Sequence, residues 1–186
     1  MFDTNVYGET VSSVLTEPKI TPTGNGNGFP SGKIKKMMII VSKGSLENVY
    51  AAFVLANGAR MEGIEAEMFF TFFGLDAINK KKLDHLHVAT VGNPAMGIPT
   101  MIGGLPGMEA FATYMMKKEM DKVDMPPVSE FLEILKASGV KLWACKLAMD
   151  MFHLGKNDLF DEVDDIITVG DFYAKAQGNG VHMLFI

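Results

Sequence analysis

Residues 37–41 read MMIIV, an unbroken apolar run of the kind that is buried on both faces of a sheet. Ser42, Lys43 and Gly44 then turn the chain, and Ser45 is placed to cap a helix. Leu46, Val49, Tyr50, Phe53 and Val54 keep helical spacing beyond it, and Gly63 supplies the stop. A second apolar stretch, EMFFTF at 67–72, follows directly. Two buried strands joined by an amphipathic helix make a βαβ unit, and its crossover is expected to be right-handed. Gly58 weakens the helix by about 1 kcal/mol relative to alanine, which suggests close packing against the sheet.

The alternation continues. A short helix over 75–83, a helix from Pro106 to about Lys122, and one from Pro126 to a stop at Gly139 lead to the strand VKLWA at 140–144. After an acidic loop at 158–165, a strand at 166–169 meets a short helix at Gly170. The turn Gly178-Asn179-Gly180 then opens a last strand at 181–186. Five strands alternating with helices predict an α/β fold, a three-layer α/β/α sandwich with a mainly parallel five-stranded sheet, flavodoxin-like in architecture.

Cys145, the single cysteine, stands where the strand at 140–144 passes into a helical pattern reaching Leu154. Reactive groups in open parallel sheets collect at the carboxyl ends of strands, and a helix start there favours thiolate over thiol. The same position also suits an inert buried thiol, since free cysteine packs as a small hydrophobe. The turn SKGS lies on the same edge; Lys43 and the backbone N–H groups of Gly44 and Ser45 can hold an anion at a helix start. Asn48, Phe73, Gly74 and Lys146 complete the candidate substrate-binding set around Cys145 as nucleophile. His85 and His87 fall short of a metal-ligand set, and no metal or cofactor is expected. Trp143 is expected to pack in the strand's flank against the core, and His153 to be structural.

The formal net charge is -5, and of 17 basic residues only Arg60 is arginine. This argues against a nucleic-acid partner. One cysteine gives no internal disulfide, and the start of the chain lacks the basic and apolar regions of a secretory signal, so a cytoplasmic location is expected. Residues 1–33, with Pro18, Pro22, Pro30 and the run GNGNG, form an expected flexible tail ahead of a domain at 34–186. Residues 88–108 carry no charge, but Pro94, Pro99 and Pro106 argue against a membrane helix; an oligomer contact and a shield for the thiol are expected there.

Three segments, MMIIVSKGSLENVYAAFVLANGARMEGIEAEMFFTFFGL, LPGMEAFATYMMKKEM and GVKLWACKLAMDMF, together resemble the DsrE/DsrF-like family across residues 33–186. The resemblance implies a homotrimer or homohexamer and a sulfur-relay role. It further implies that Cys145 carries sulfane sulfur or a thiosulfonate group, and that TusA-type carriers or rhodaneses act as donor or acceptor. Whether the chain catalyses sulfur transfer or only carries sulfur stays open. Two other functions compete: a non-catalytic oligomeric interaction protein of the same fold, and a flavodoxin-like nucleotide or flavin binder.

Overall fold

The computed structural model describes residues 34–90 and 105–186. The expected tail at 1–33 and the greater part of the uncharged stretch at 88–108 lie outside these residues. Five strands form one sheet: β1 (Lys36–Val41), β2 (Glu65–Phe70), β3 (Lys141–Cys145), β4 (Asp165–Ile167) and β5 (Val181–Phe185). All pairings are parallel, in the order β4-β3-β2-β1-β5. The helices are α1 (Leu46–Met61), α2 (Met108–Asp121), α3 (Val128–Ala137), α4 (Lys146–Met151) and α5 (Val169–Lys175).

The strand order accounts for the layers. The chain steps from β1 to β2 in one direction across the sheet and from β4 back past β1 to β5 in the other. Right-handed crossovers therefore place α1 and α5 on opposite faces. On the α1 side Phe53 of α1 meets Phe131 of α3 edge-to-face at 5.4 Å, with Tyr50 6.0 Å from the same ring. On the other side Phe172 of α5 stacks on Phe69 of β2 at 4.7 Å. Each such pair adds about 0.5–1.5 kcal/mol to what burial alone contributes.

The α5 face also holds a polar cluster that the apolar pattern of the strands did not announce. The indole N–H of Trp143 donates to Glu67 Oε2 at 2.7 Å, and Lys36 Nζ lies 2.5 Å from Glu67 Oε1. Lys36 also donates to the carbonyl of Lys175, whose own ammonium sits 4.1 Å above the Trp143 ring. These bonds tie α5 to three strands and satisfy the polar groups that the sheet half-buries.

Several local expectations shift. β2 begins two residues earlier than its apolar run, because Ala66 and Met68 fill the α1 face while Glu65 and Glu67 occupy the other. The expected helix at 75–83 is a 3-10 helix, Phe72–Ile78, followed by a second short 3-10 turn, Leu83–His85. Pro106 precedes α2 rather than entering it; Gly107, at φ 88°, caps that helix. A Cβ at Gly58 would meet nothing within 4 Å, so that glycine allows no close approach.

Candidate functional site

Sheet register fixes the level of every residue on the carboxyl rim. Val41 pairs with Phe70, Phe70 with Ala144, and Cys145 with Ile167, so the chain leaves β1, β2 and β3 at one edge. From β1 it enters the SKGS bend, from β2 the 3-10 helix at Phe72, and from β3 the helix α4 that starts right after Cys145. The expected placement of the cysteine at a strand end with a helix following is met.

The bend opens on a cleft of about 870 Å³. Lys43, Gly44, Ser45, Asn48 and Phe73 line it, together with Glu47, Asp76, Lys81, Lys82, His85, His87 and Glu109. The carbonyl of His87 takes the N–H of Leu46 at 2.9 Å, while the N–H groups of Gly44 and Ser45 make no bond within the described chain. Ser45 stands at the N-cap of α1, but its hydroxyl accepts from the Asn48 side-chain amide at 2.6 Å instead of from a backbone N–H. Lys82 pairs with Asp76 at 2.8 Å and His87 Nδ1 with Glu109 at 3.1 Å. Lys43 is left exposed without an ion-pair partner, the one uncompensated lysine among the described residues of the cleft. Lys43 and the two N–H groups suit an anionic group, while the Glu47 carboxylate on the same wall, bonded among the described residues only to the Asn48 amide and the Ala89 N–H, limits the charge such a group can carry.

The thiol does not share that cleft. Cys145 is 3% exposed and packs within the core cluster. It stands two strands from the bend, roughly 10 Å at ordinary strand spacing. Two of the expected binding residues also stand apart. The N–H of Gly74 donates to the carbonyls of Ser42 and Thr71, and its Cα lies against the Val41 carbonyl, so it shapes the turn without offering a donor. Lys146 forms an ion pair with Asp150 one turn along α4 and does not line the cleft. With six residues, α4 gathers only a small macrodipole.

His85 and His87 are both exposed on the cleft wall and not on a strand; His85 closes a 3-10 turn. The acidic residues of the cleft, and the apolar rim formed by Phe72, Leu147, Met151 and Phe152, were not singled out from sequence. Leu147 and Met151 at helical spacing with Phe152 beside them carried that signal, but the pattern reads equally as a core face.

The sequence matches the DsrE/DsrF/DrsH-like family over residues 33–184. It is 37% identical over 138 residues to the sulfur carrier protein DsrE2 of Allochromatium vinosum, covering 70% of this chain and 86% of that protein. The uncharacterized protein YrkE of Bacillus subtilis is 28% identical over 159 residues, with 80% of this chain and 96% of that one covered. A solved structure of a protein of unknown function, MTH1491 from Methanobacterium thermoautotrophicum, shares the fold at a TM-score of 0.50 and 11% identity, over 81% of this chain and 98% of that one. With the match running from the residues just before β1 into β5, the chain belongs to the DsrE/DsrF/DrsH-like family.

Proposed function

We propose that the protein is a cytoplasmic sulfur carrier that holds sulfane sulfur on Cys145 and hands it to partner proteins. The observation that carries this is the position of the chain's only thiol, on the rim where strand passes into helix, in a chain similar to a protein named as a sulfur carrier. The thiolate of Cys145 attacks the outer sulfur of a donor persulfide R–S–SH. The new S–S bond forms as the donor's S–S bond breaks, R–S⁻ leaves, and the transferred sulfur keeps its proton. Discharge repeats the step with an acceptor thiolate, so no net oxidant is needed. A thiosulfonate group is the other cargo the site would take.

Lys43 and the free N–H groups of Gly44 and Ser45 bind the anionic remainder of the donor, because the cleft is too far from the thiol to grip the sulfur itself. The burial of Cys145 requires the rim to open before reaction, and a partner's arrival supplies that opening. TusA-type carriers or rhodaneses fit as partners, and a homotrimer or homohexamer as the working assembly.

Intact-mass spectrometry after incubation with polysulfide or tetrathionate tests the proposal. A mass increment of sulfur on the wild type that vanishes in Cys145→Ser supports it. A wild type that takes no adduct refutes it and favours an oligomeric interaction protein, for which the buried thiol is already suited. An adduct that persists in Cys145→Ser refutes the site. A purified protein that comes away coloured or loaded with nucleotide would point to the flavodoxin-like alternative.

A further inference from the structure

The rim beside Cys145 displays large apolar side chains that the rest of the described fold does not cover. Phe72 and Phe73 leave β2, Leu147 and Met151 lie one turn apart on the same side of α4, and Phe152 follows. Leu147 is 70% exposed and Phe73 63%. The rings of Phe73 and Phe152 meet at 5.7 Å, joining the two groups across the segments that flank the cysteine. The backbone on either side of that contact is strained: Phe72 has φ 46° and His153 φ 54°, a region bulky residues avoid and one that recurs at functional sites. The exposed parts of the five side chains amount to roughly 500 Å², the upper end of the largest apolar patch on an ordinary monomer.

We infer that this rim is the docking surface for a partner protein that presents its own cysteine on an apolar segment. The inference rests on the sulfur-carrier function proposed above. A relay needs a second thiolate, and this chain has no second cysteine. Cys145 is almost fully covered, so a small hydrophilic thiol meets a closed surface, whereas a segment with apolar side chains is stabilised on arrival by burying them. Charge does not oppose such a partner: Lys146 is neutralised by Asp150 and favours neither an acidic nor a basic surface, which leaves apolar burial as the recognition.

Area separates this partner from a second copy. Two such patches face to face bury roughly 1,000 Å² of apolar surface, and with a polar margin still stay below the 2,000–5,000 Å² of obligate assemblies. The rim suits an encounter that forms and dissolves. In that encounter the partner thiolate attacks the outer sulfur of the Cys145 persulfide, the S–S bond to Cys145 breaks, and Cys145 leaves as thiolate.

Cys145 converted to its mixed disulfide with thionitrobenzoate gives a photometric test. The probes are two short peptides, one with its cysteine flanked by Leu and Phe and one flanked by Gly and Ser. Each exchange rate is normalised to the same peptide's rate with the free aromatic disulfide. The apolar peptide is expected to release thionitrobenzoate at least tenfold faster, and in Leu147→Lys and Met151→Lys the ratio is expected to fall below twofold. Equal normalised rates on the wild type would overturn the docking surface alone. A stable homo-oligomer that Leu147→Lys dissolves would overturn it as well, by giving the rim to a second copy. If Cys145 accepts neither thionitrobenzoate nor polysulfide, the carrier function itself fails, and the docking proposal with it.

Discussion

Gly74 lies against the carbonyl of Val41 with no room for a Cβ, and its N–H donates to Ser42 O at 3.2 Å and to Thr71 O at 2.9 Å. Two backbone turns of the rim are thereby locked together at a position where neither can yield by rotating a side chain. Gly74→Ala is expected to cost about 3 kcal/mol, the upper range for overpacking, and to lower the melting temperature by roughly 8 °C. Differential scanning calorimetry of the two proteins checks this; an unchanged melting temperature would mean the rim is softer than described.

The Trp143–Glu67 bond at 2.7 Å ends on a carboxylate that Lys36 also holds. Trp143→Phe removes a hydrogen bond to a charged acceptor and leaves Lys175 a weaker aromatic face, with an expected loss of about 2 kcal/mol. Glu67→Gln keeps an acceptor for the indole and should cost less than Glu67→Ala. Urea denaturation of the single and double variants, read as a cycle, should show the two residues coupled.

Asp164 makes stability depend on pH at the acid end. Burial alone would raise its carboxyl, but the bonds from Lys136, the Leu142 N–H and Lys141 outweigh that and hold it below the ordinary value. A carboxyl lowered by folding stabilises fully above its unfolded value, about 3.9, and that contribution drains away as pH falls toward the folded one. The urea midpoint of the wild type should therefore drop below about pH 4 more steeply than that of Asp164→Asn.

Tyr50 does the same at the alkaline end with the opposite sign. Burial, then the charges of Asp84 and Asp121, push its hydroxyl up to about 12, and the hydroxyl donates to the Pro126 carbonyl at 2.7 Å. Its contribution is complete below the unfolded value near 10 and is lost between there and about 12. Tyr50→Phe should flatten the stability profile over that window.

Alkylation of the single cysteine reports its cover directly. Iodoacetamide is expected to label Cys145 at least about tenfold more slowly in the native protein than in urea, since reaction waits on local opening. Phe152→Ala, which removes one ring of the Phe73–Phe152 contact, should shorten that wait. Equal rates in the native and unfolded states would mean the rim is open in solution.

Much of the fold was legible because its signals are local. MMIIV, the spacing of Leu46, Val49, Tyr50 and Phe53, and the left-handed Gly63 and Gly139 each announce their element within a few residues. Glu65 misled the start of β2 because a charged residue on a strand reads as loop until its face is known. The sequence suggests one short helix over 75–83, whereas the chain makes two 3-10 segments, Phe72–Ile78 and Leu83–His85, because apolar spacing this short does not fix where a turn begins. At the site, the rim position of Cys145 followed from topology. The depth at which its sulfur sits did not, because a lone thiol at a strand end suits a reactive rim position and a small buried hydrophobe equally, and only the packed core cluster around it decides.

The pairing of β5 with β1 carries a consequence for how the protein is made. Ser42 at the foot of the SKGS bend is bonded, through both its N–H and its hydroxyl, to the carbonyl of Ile186, a link spanning 144 residues. Such a contact forms late, after nearly the whole domain has been synthesised and most of the ordering entropy has been met. The SKGS bend is thus fixed from below only when β5 docks beside β1.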